Sequence, residues 1–257
     1  MHFPVNSTQL RFAGSQHALL DARLDAPLDV APRGYLIFSH CFTCTKETLT
    51  TARVARGLAQ QGYAVLRFDF TGLGASAGNF ADSNFTSMVE DIRCAANYLQ
   101  QHYQSPCALL GHSMGGTASL LASRDIRSCN TVVTLAAPAQ PAHVLHHFGP
   151  VLQQLEAGQA AQISVAGVRY PVLPQFIHDV RALNMQQLMQ GYELPVLVIS
   201  AEHDALVMAS AAQEIFGYTR GPSQMLAVPA ADHLFTDRAA TLQMIDAIVI
   251  WLQQQGC

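Results

Sequence analysis

Apolar and polar positions alternate over residues 9–12 and 17–24, the period-two pattern of half-buried antiparallel strands, and Pro27 and Pro32 follow them. A leading hairpin is predicted. Beyond it the pattern changes to unbroken apolar runs at residues 35–39, 64–68, 108–110, 131–136, 196–200 and 225–228. Runs without alternation suit parallel strands covered on both faces. Between them a 3.6-residue period predicts helices over 47–60, 85–101, 116–124, 210–216 and 239–255. Strand and helix alternate, which predicts an α/β fold with a mostly parallel, doubly wound sheet, in a single domain over residues 1–257.

One stretch breaks the alternation. From 138 to 192 no parallel strand is visible, although connections are usually about 4 to 6 residues long. An inserted cap of helix, hairpin and helix is predicted. Val144, Phe148, Val151, Leu152 and Leu155 form one apolar stripe, interrupted at Gly149-Pro150. Ile163, Val165, Val168, Tyr170 and Val172 alternate around Ala166-Gly167, and Phe176, Ile177, Val180 and Leu183 form a second helical stripe.

Half the residues are apolar and 12% are charged, a globular composition far from that of disordered chains. The net charge of -4, without a Lys/Arg cluster, argues against a nucleic-acid partner. No segment reaches the roughly 18 apolar residues of a membrane helix, and the start carries no basic segment leading into an apolar one, so a cytoplasmic protein without membrane attachment is expected. The low charge and positive mean hydropathy of +0.17 suit a surface shared in a homo-oligomer. The six cysteines are scattered and are expected to be reduced. Cys41-Phe42-Thr43-Cys44 has C-x-x-C spacing, but neither a thioredoxin-like unit nor a second ligand pair accompanies it.

The chemistry centres on Gly111-His112-Ser113-Met114-Gly115, a G-x-S-x-G placed after an apolar strand and before a small-residue helix. That context is the nucleophile elbow of α/β hydrolases, whose strained turn lifts the serine Oγ and demands small residues two before and two after it. A serine needs an imidazole base, and the base needs a carboxylate to hold its tautomer. Asp204 and His233 supply them, each after an apolar run and in the order Ser, Asp, His; Glu202, Asp232 and Asp179 are the weaker acids by position. The oxyanion hole is expected from the backbone N–H of Met114 and of Phe42, with Cys41 as the alternative second donor. Cys41, His112, Phe148 and Phe176 are expected around the substrate pocket. His143, His146 and His147 lack a carboxylate or cysteine to complete a metal set, so no metal and no cofactor are expected. Asp69-Phe70-Thr71-Gly72-Leu73-Gly74 lacks the lysine of a phosphate loop and reads as a tight loop beside the site.

Phe38 through Glu47, Leu66 through Gly74, Leu110 through Gly116 and Ala137 through Leu145 together resemble the hydrolase portion of bacterial proteins that fuse an α/β hydrolase to an OsmC-like peroxide-reducing domain. The resemblance runs from about Ser39 to Leu234. It implies the α/β-hydrolase fold, Ser113 as nucleophile and the triad, and an OsmC-like domain is not expected within this chain. The expected reaction is hydrolysis of a carboxylic ester or thioester of a small-molecule acyl substrate through an acyl-Ser113 intermediate. The same three residues would serve a peptidase, a cofactor-free haloperoxidase or a carbon–carbon bond hydrolase. From other classes, the chain would be a silent ligand-binding module of the same fold, or Cys41 and Cys44 would form a redox pair.

Overall fold

A computed structural model describes residues 2–257. In chain order the strands are β1 (Val5–Ala13), β2 (Leu19–Pro27), β3 (Tyr35–Ser39), β4 (Ala64–Phe68), β5 (Ala108–His112), β6 (Thr131–Leu135), β7 (Ala161–Val165), β8 (Val168–Val172), β9 (Val196–Ala201) and β10 (Gln224–Val228). The α-helices are α1 (Leu49–Gln60), α2 (Phe85–His102), α3 (Met114–Ala122), α4 (Val151–Glu156), α5 (Pro174–Ala182), α6 (Met185–Leu188), α7 (Ala209–Tyr218) and α8 (Arg238–Gln254). Eight strands form one sheet in the order β1-β2-β4-β3-β5-β6-β9-β10. The leading hairpin is antiparallel and joins β4 antiparallel, and the other strands run parallel, which is the α/β-hydrolase fold.

Both faces of β3, β4, β5, β6 and β9 are covered, which is why they read as unbroken apolar runs, whereas β10 at the edge is largely exposed. Leu36 and Phe38 of β3 pack with Val54 and Leu58 of α1 and Ile245, Ile248 and Leu252 of α8. Ile37 points the other way, into the layer of α2, α3 and α7 with Phe85, Ile92, Leu99, Ala118 and Ile215. Each fully buried Leu or Ile contributes roughly 1.5 to 3 kcal/mol. Trp251 of α8 seals the first face, and its indole N–H donates to Thr131 Oγ1 of β6 at 2.7 Å.

Several element ends differ from the periodicity. β5 extends to His112 and α3 starts at Met114, because the elbow leaves a single residue between strand and helix. α1 starts at Leu49, since the Glu47 side chain is held by Arg23 and Arg67 ahead of it. Between β6 and β9 the first apolar stripe splits, with a 3-10 helix (Pro141–His147) ahead of α4 and Gly149 turning at a φ of +44° between them. The β7–β8 hairpin and α5 follow. Among the described residues no helix is long and apolar enough to cross a membrane.

Candidate active site

The turn from β5 to α3 places Ser113 at φ +52° and ψ -126°, a left-handed conformation that a serine adopts only when its surroundings enforce it. The Ser113 N–H donates to the Leu135 carbonyl of β6 at 2.8 Å, fixing the turn to the sheet. The small residues around it are required by backbone contact. A Cβ on Gly111 would lie 2.3 Å from the Gly115 carbonyl oxygen, and one on Gly115 would lie 2.3 Å from the His40 oxygen and 2.5 Å from that of Ser39. Gly115→Ala must therefore push the helix away from the end of β3. It is expected to cost about 3 kcal/mol of stability, read from the shift of the urea midpoint; an unshifted midpoint would show that the turn yields freely.

Two loops at the carboxyl edge of the sheet bring the base and its acid together. His233 Nδ1–H donates to Asp204 Oδ2 at 2.8 Å, while Asp204 Oδ1 accepts the N–H groups of Leu206 and Val207 at 2.8 and 2.9 Å. Burial alone would raise the Asp204 carboxyl, but these hydrogen bonds outweigh it and hold the group below its ordinary value. Glu202 accepts from the Ala230 N–H, and Asp232 accepts from Thr236, so neither competes for the imidazole. Ser113 and His233 line one cavity of about 30 Å³, together with Phe42, Met114, Pro138, His143, Val144, His146, His147, Leu206 and Val207.

His112 lies fully buried beneath the elbow, with its ring 5.0 Å from that of His233. Its Nε2–H donates to the His233 carbonyl at 2.7 Å, a tautomer fixed by an oxygen that can only accept. Burial and then the neighbouring imidazole push its pKa down to about 3, so the ring is neutral and acts as a strut for the base loop. It does not line the pocket expected of it. Nor do the other three expected lining residues reach the Ser113 cavity. Phe148 and Phe176 stack on one another at 5.5 Å as core, and Cys41 is buried in its loop. The walls come instead from His143, His146 and His147, whose adjacent placement the metal question obscured. His147 stacks over Phe42 at 6.1 Å, and burial with its histidine neighbours lowers its pKa to about 4.

The loop after β3 departs from expectation in its cysteines. Cys94, Cys107, Cys129 and Cys257 are free, but Cys41 and Cys44 are joined in a disulfide, their Cα atoms 5.2 Å apart. A tight turn, closed by the Cys44 N–H donating to the Cys41 carbonyl at 3.2 Å, brings them within bridging range. Just beyond it the buried Lys46 Nζ contacts Asp69 Oδ2 at 2.6 Å and Asp21 Oδ1 at 2.8 Å, and its N–H donates to Asp69 Oδ1 at 2.6 Å. The loop of Gly72 and Gly74 thus folds against the site through Asp69, which also accepts the Ala75 N–H. The pairing of Lys46 with Asp69 was not foreseen; the signal was two loop charges, one of them directly after β4, in a chain with few. The N–H groups of Phe42 and Met114 find no acceptor among the described residues.

Two larger clefts, of about 340 and 410 Å³, lie around Arg127 at the amino ends of the parallel strands, the edge opposite Ser113, and a third, of about 340 Å³ between Gln140, His143, Met208 and Glu214, adjoins the Ser113 cavity through His143. The chemistry-bearing residues converge only on the smaller cavity.

The Hydrolase_4 family (serine aminopeptidase, S33) matches residues 31–176. Among solved structures the chain is similar to the esterase domain of a Rhodothermus marinus protein, at 32% identity over 97% of this chain and 98% of that one, with a TM-score of 0.79. It shares its fold with Est1E from Butyrivibrio proteoclasticus bound to ferulic acid (19% identity, 95% and 98% covered, TM-score 0.77). It also shares it with a serine hydrolase without lid from Xanthomonas campestris (19%, 99% and 95%, 0.67). No curated protein matches the chain.

Proposed function

Because the chain belongs to the Hydrolase_4 (S33) family of α/β hydrolases, we propose that it cleaves carboxylic esters or thioesters of a small-molecule acyl substrate through an acyl-Ser113 intermediate. The observation that carries this is the 2.8 Å hydrogen bond from His233 Nδ1–H to Asp204, on an imidazole that shares a cavity with a serine at φ +52°. With Nδ1 committed to Asp204, Nε2 takes the Ser113 proton as Oγ attacks the acyl carbon, and returns it to the leaving alcohol or thiol. The charge on the carbonyl oxygen is met by the Met114 and Phe42 N–H groups and by the amino end of α3. Water, activated by the same Nε2, then releases the acid.

The lining of the Ser113 cavity holds no carboxylate to receive the free amino terminus of a peptide, and the one in the neighbouring cleft that shares His143, Glu214, lies outside it, which favours an ester over an aminopeptidase substrate. The likeness to the Rhodothermus marinus esterase domain supports the same choice. The motif from Phe38 through Glu47 supports a place beside the hydrolase portion of the OsmC-like fusions.

A fluorophosphonate probe tests the nucleophile without assuming a substrate. Wild-type protein is expected to be labelled and Ser113→Ala to remain unlabelled, with p-nitrophenyl acetate turned over faster than aminoacyl p-nitroanilides. Folded wild type that resists the probe, or prefers the anilides, would overturn the proposal.

A further inference from the structure

The Cys41–Cys44 disulfide takes no part in the hydrolytic steps, yet it encloses Phe42, whose N–H is the proposed second oxyanion donor. The enclosed residues are held in an unusual shape. Thr43 sits at φ +57°, a left-handed conformation that a β-branched residue adopts only under constraint. The constraint comes from the ring itself, from the Thr43 hydroxyl donating to the Phe42 carbonyl at 2.7 Å, and from the Tyr170 hydroxyl of β8 donating to the Thr43 carbonyl at 3.1 Å. Phe42 in turn forms part of the wall beside Ser113 and packs 5.6 Å from Phe176 and 5.8 Å from Phe80.

The flanks of this ring are fixed independently of it. On one side His40 accepts the Phe70 N–H at Nε2 and donates from Nδ1 to the Cys41 carbonyl at 2.8 Å. On the other, Lys46 is pinned to Asp69 and Asp21. Opening the disulfide therefore frees the Phe42–Thr43–Cys44 side of the turn, while the Cys41 carbonyl stays on His40 and the sheet and the elbow stay in place. Access is one-sided: Cys41 is buried and Cys44 is partly exposed.

We propose that Cys41–Cys44 is a reversible thiol–disulfide exchange site for dithiol reductants, and that its reduction loosens the turn that carries the Phe42 donor and lowers hydrolysis at Ser113. The second half rests on the hydrolase reading above. In the exchange, a reductant thiolate attacks Cys44 Sγ. The Cys41–Cys44 bond breaks with its electron pair going to Cys41 Sγ, which takes up a proton. The reductant's second thiolate then attacks its own sulfur in the mixed disulfide, releasing Cys44 as a thiolate that is protonated in turn. The protein gains two electrons and two protons, and the reductant leaves as its disulfide.

The test uses the full chain, oxidised by oxidised glutathione or reduced by dithiothreitol. Alkylation under denaturing conditions should count four thiols in the oxidised protein and six in the reduced one, the difference falling on the peptide that contains Cys41 and Cys44. Reduction is expected to lower kcat for p-nitrophenyl acetate by about tenfold or more, with a smaller change in KM, and reoxidation to restore it. The double variant C41S/C44S should have the low kcat and ignore dithiothreitol, but the wild-type cycle decides the matter even if that variant folds poorly. Full kcat in protein whose Cys41 and Cys44 are both alkylated would overturn the control, and a disulfide that survives dithiothreitol would overturn the exchange. If neither state labels with fluorophosphonate or turns over ester, the hydrolase reading fails and the control falls with it. The thiol count still decides the exchange alone.

Discussion

Replacement of Ser113 by alanine is expected to lower kcat/KM for p-nitrophenyl acetate by about 10⁴ or more, and His233→Ala by a similar factor. The reason is that the two act as one unit: an Oγ without its base is protonated, and a base without the Oγ has nothing to activate. The double variant should consequently be no worse than either single one. Asp204→Asn is expected to cost roughly 10² to 10⁴, because an amide in that place can donate to His233 and turn the imidazole to the tautomer that cannot take the serine proton. The Leu206 and Val207 N–H groups would still hold the amide oxygen, so the loop keeps its shape and the loss is one of chemistry. Initial rates with matched far-UV circular dichroism measure this. A Ser113→Ala rate within tenfold of wild type would sink the acyl-serine mechanism.

Acid is expected to destabilise the protein from about pH 6.5 downwards, before ordinary carboxylates begin to protonate. His40 and His112 are fully buried, and burial lowers their pKa to about 4 and about 3 from an unfolded value near 6.5. Between those values the unfolded chain binds protons that the folded one refuses, so stability is complete above about pH 6.5 and falls as the pH drops towards 4. Two rings give a slope of about 3 kcal/mol per pH unit, and a loss of roughly 6 kcal/mol by pH 4, a large fraction of the stability of an ordinary domain. Both rings are committed: His40 bridges the Phe70 N–H and the Cys41 carbonyl, and His112 holds the His233 carbonyl. Urea midpoints at pH 7.5, 6 and 5 test this. A midpoint unchanged down to pH 5 would show that the rings titrate freely.

What could be read from the amino-acid string was whatever a local rule dictates. Gly111, Gly115 and Gly116 around Ser113 are legible because a strained turn leaves no choice of residue there, and the β3 to β6 strands because both their faces are covered. The order Ser113, Asp204, His233 followed from the ends of apolar runs. What stayed hidden depends on contacts between distant segments. Lys46 meets Asp69 and Asp21 across two loops, so its burial leaves no trace in periodicity. His112 adjoins the nucleophile in sequence, but its partner is the backbone of residue 233. Phe148 and Phe176 were apolar residues of an insert, and whether such residues face a substrate or one another is settled only by packing. The Cys41–Cys44 bridge stood only as a rival to reduced thiols because cysteines were weighed by their scatter, when four consecutive residues in a tight turn suffice to join two of them.

The lone tryptophan of the chain gives these experiments an optical reporter with a defined field of view. Trp251 is buried between α8 and the sheet, with its indole N–H tied to Thr131. Its emission should stay blue-shifted for as long as α8 remains docked and move to the red only when the last helix peels away. Rearrangement of the 41–44 ring or of the β7–β8 hairpin takes place on the other side of the sheet from this fluorophore. A red shift in acid therefore marks collapse of the framework, while a change in hydrolysis with constant emission marks an event confined to the mouth of the site.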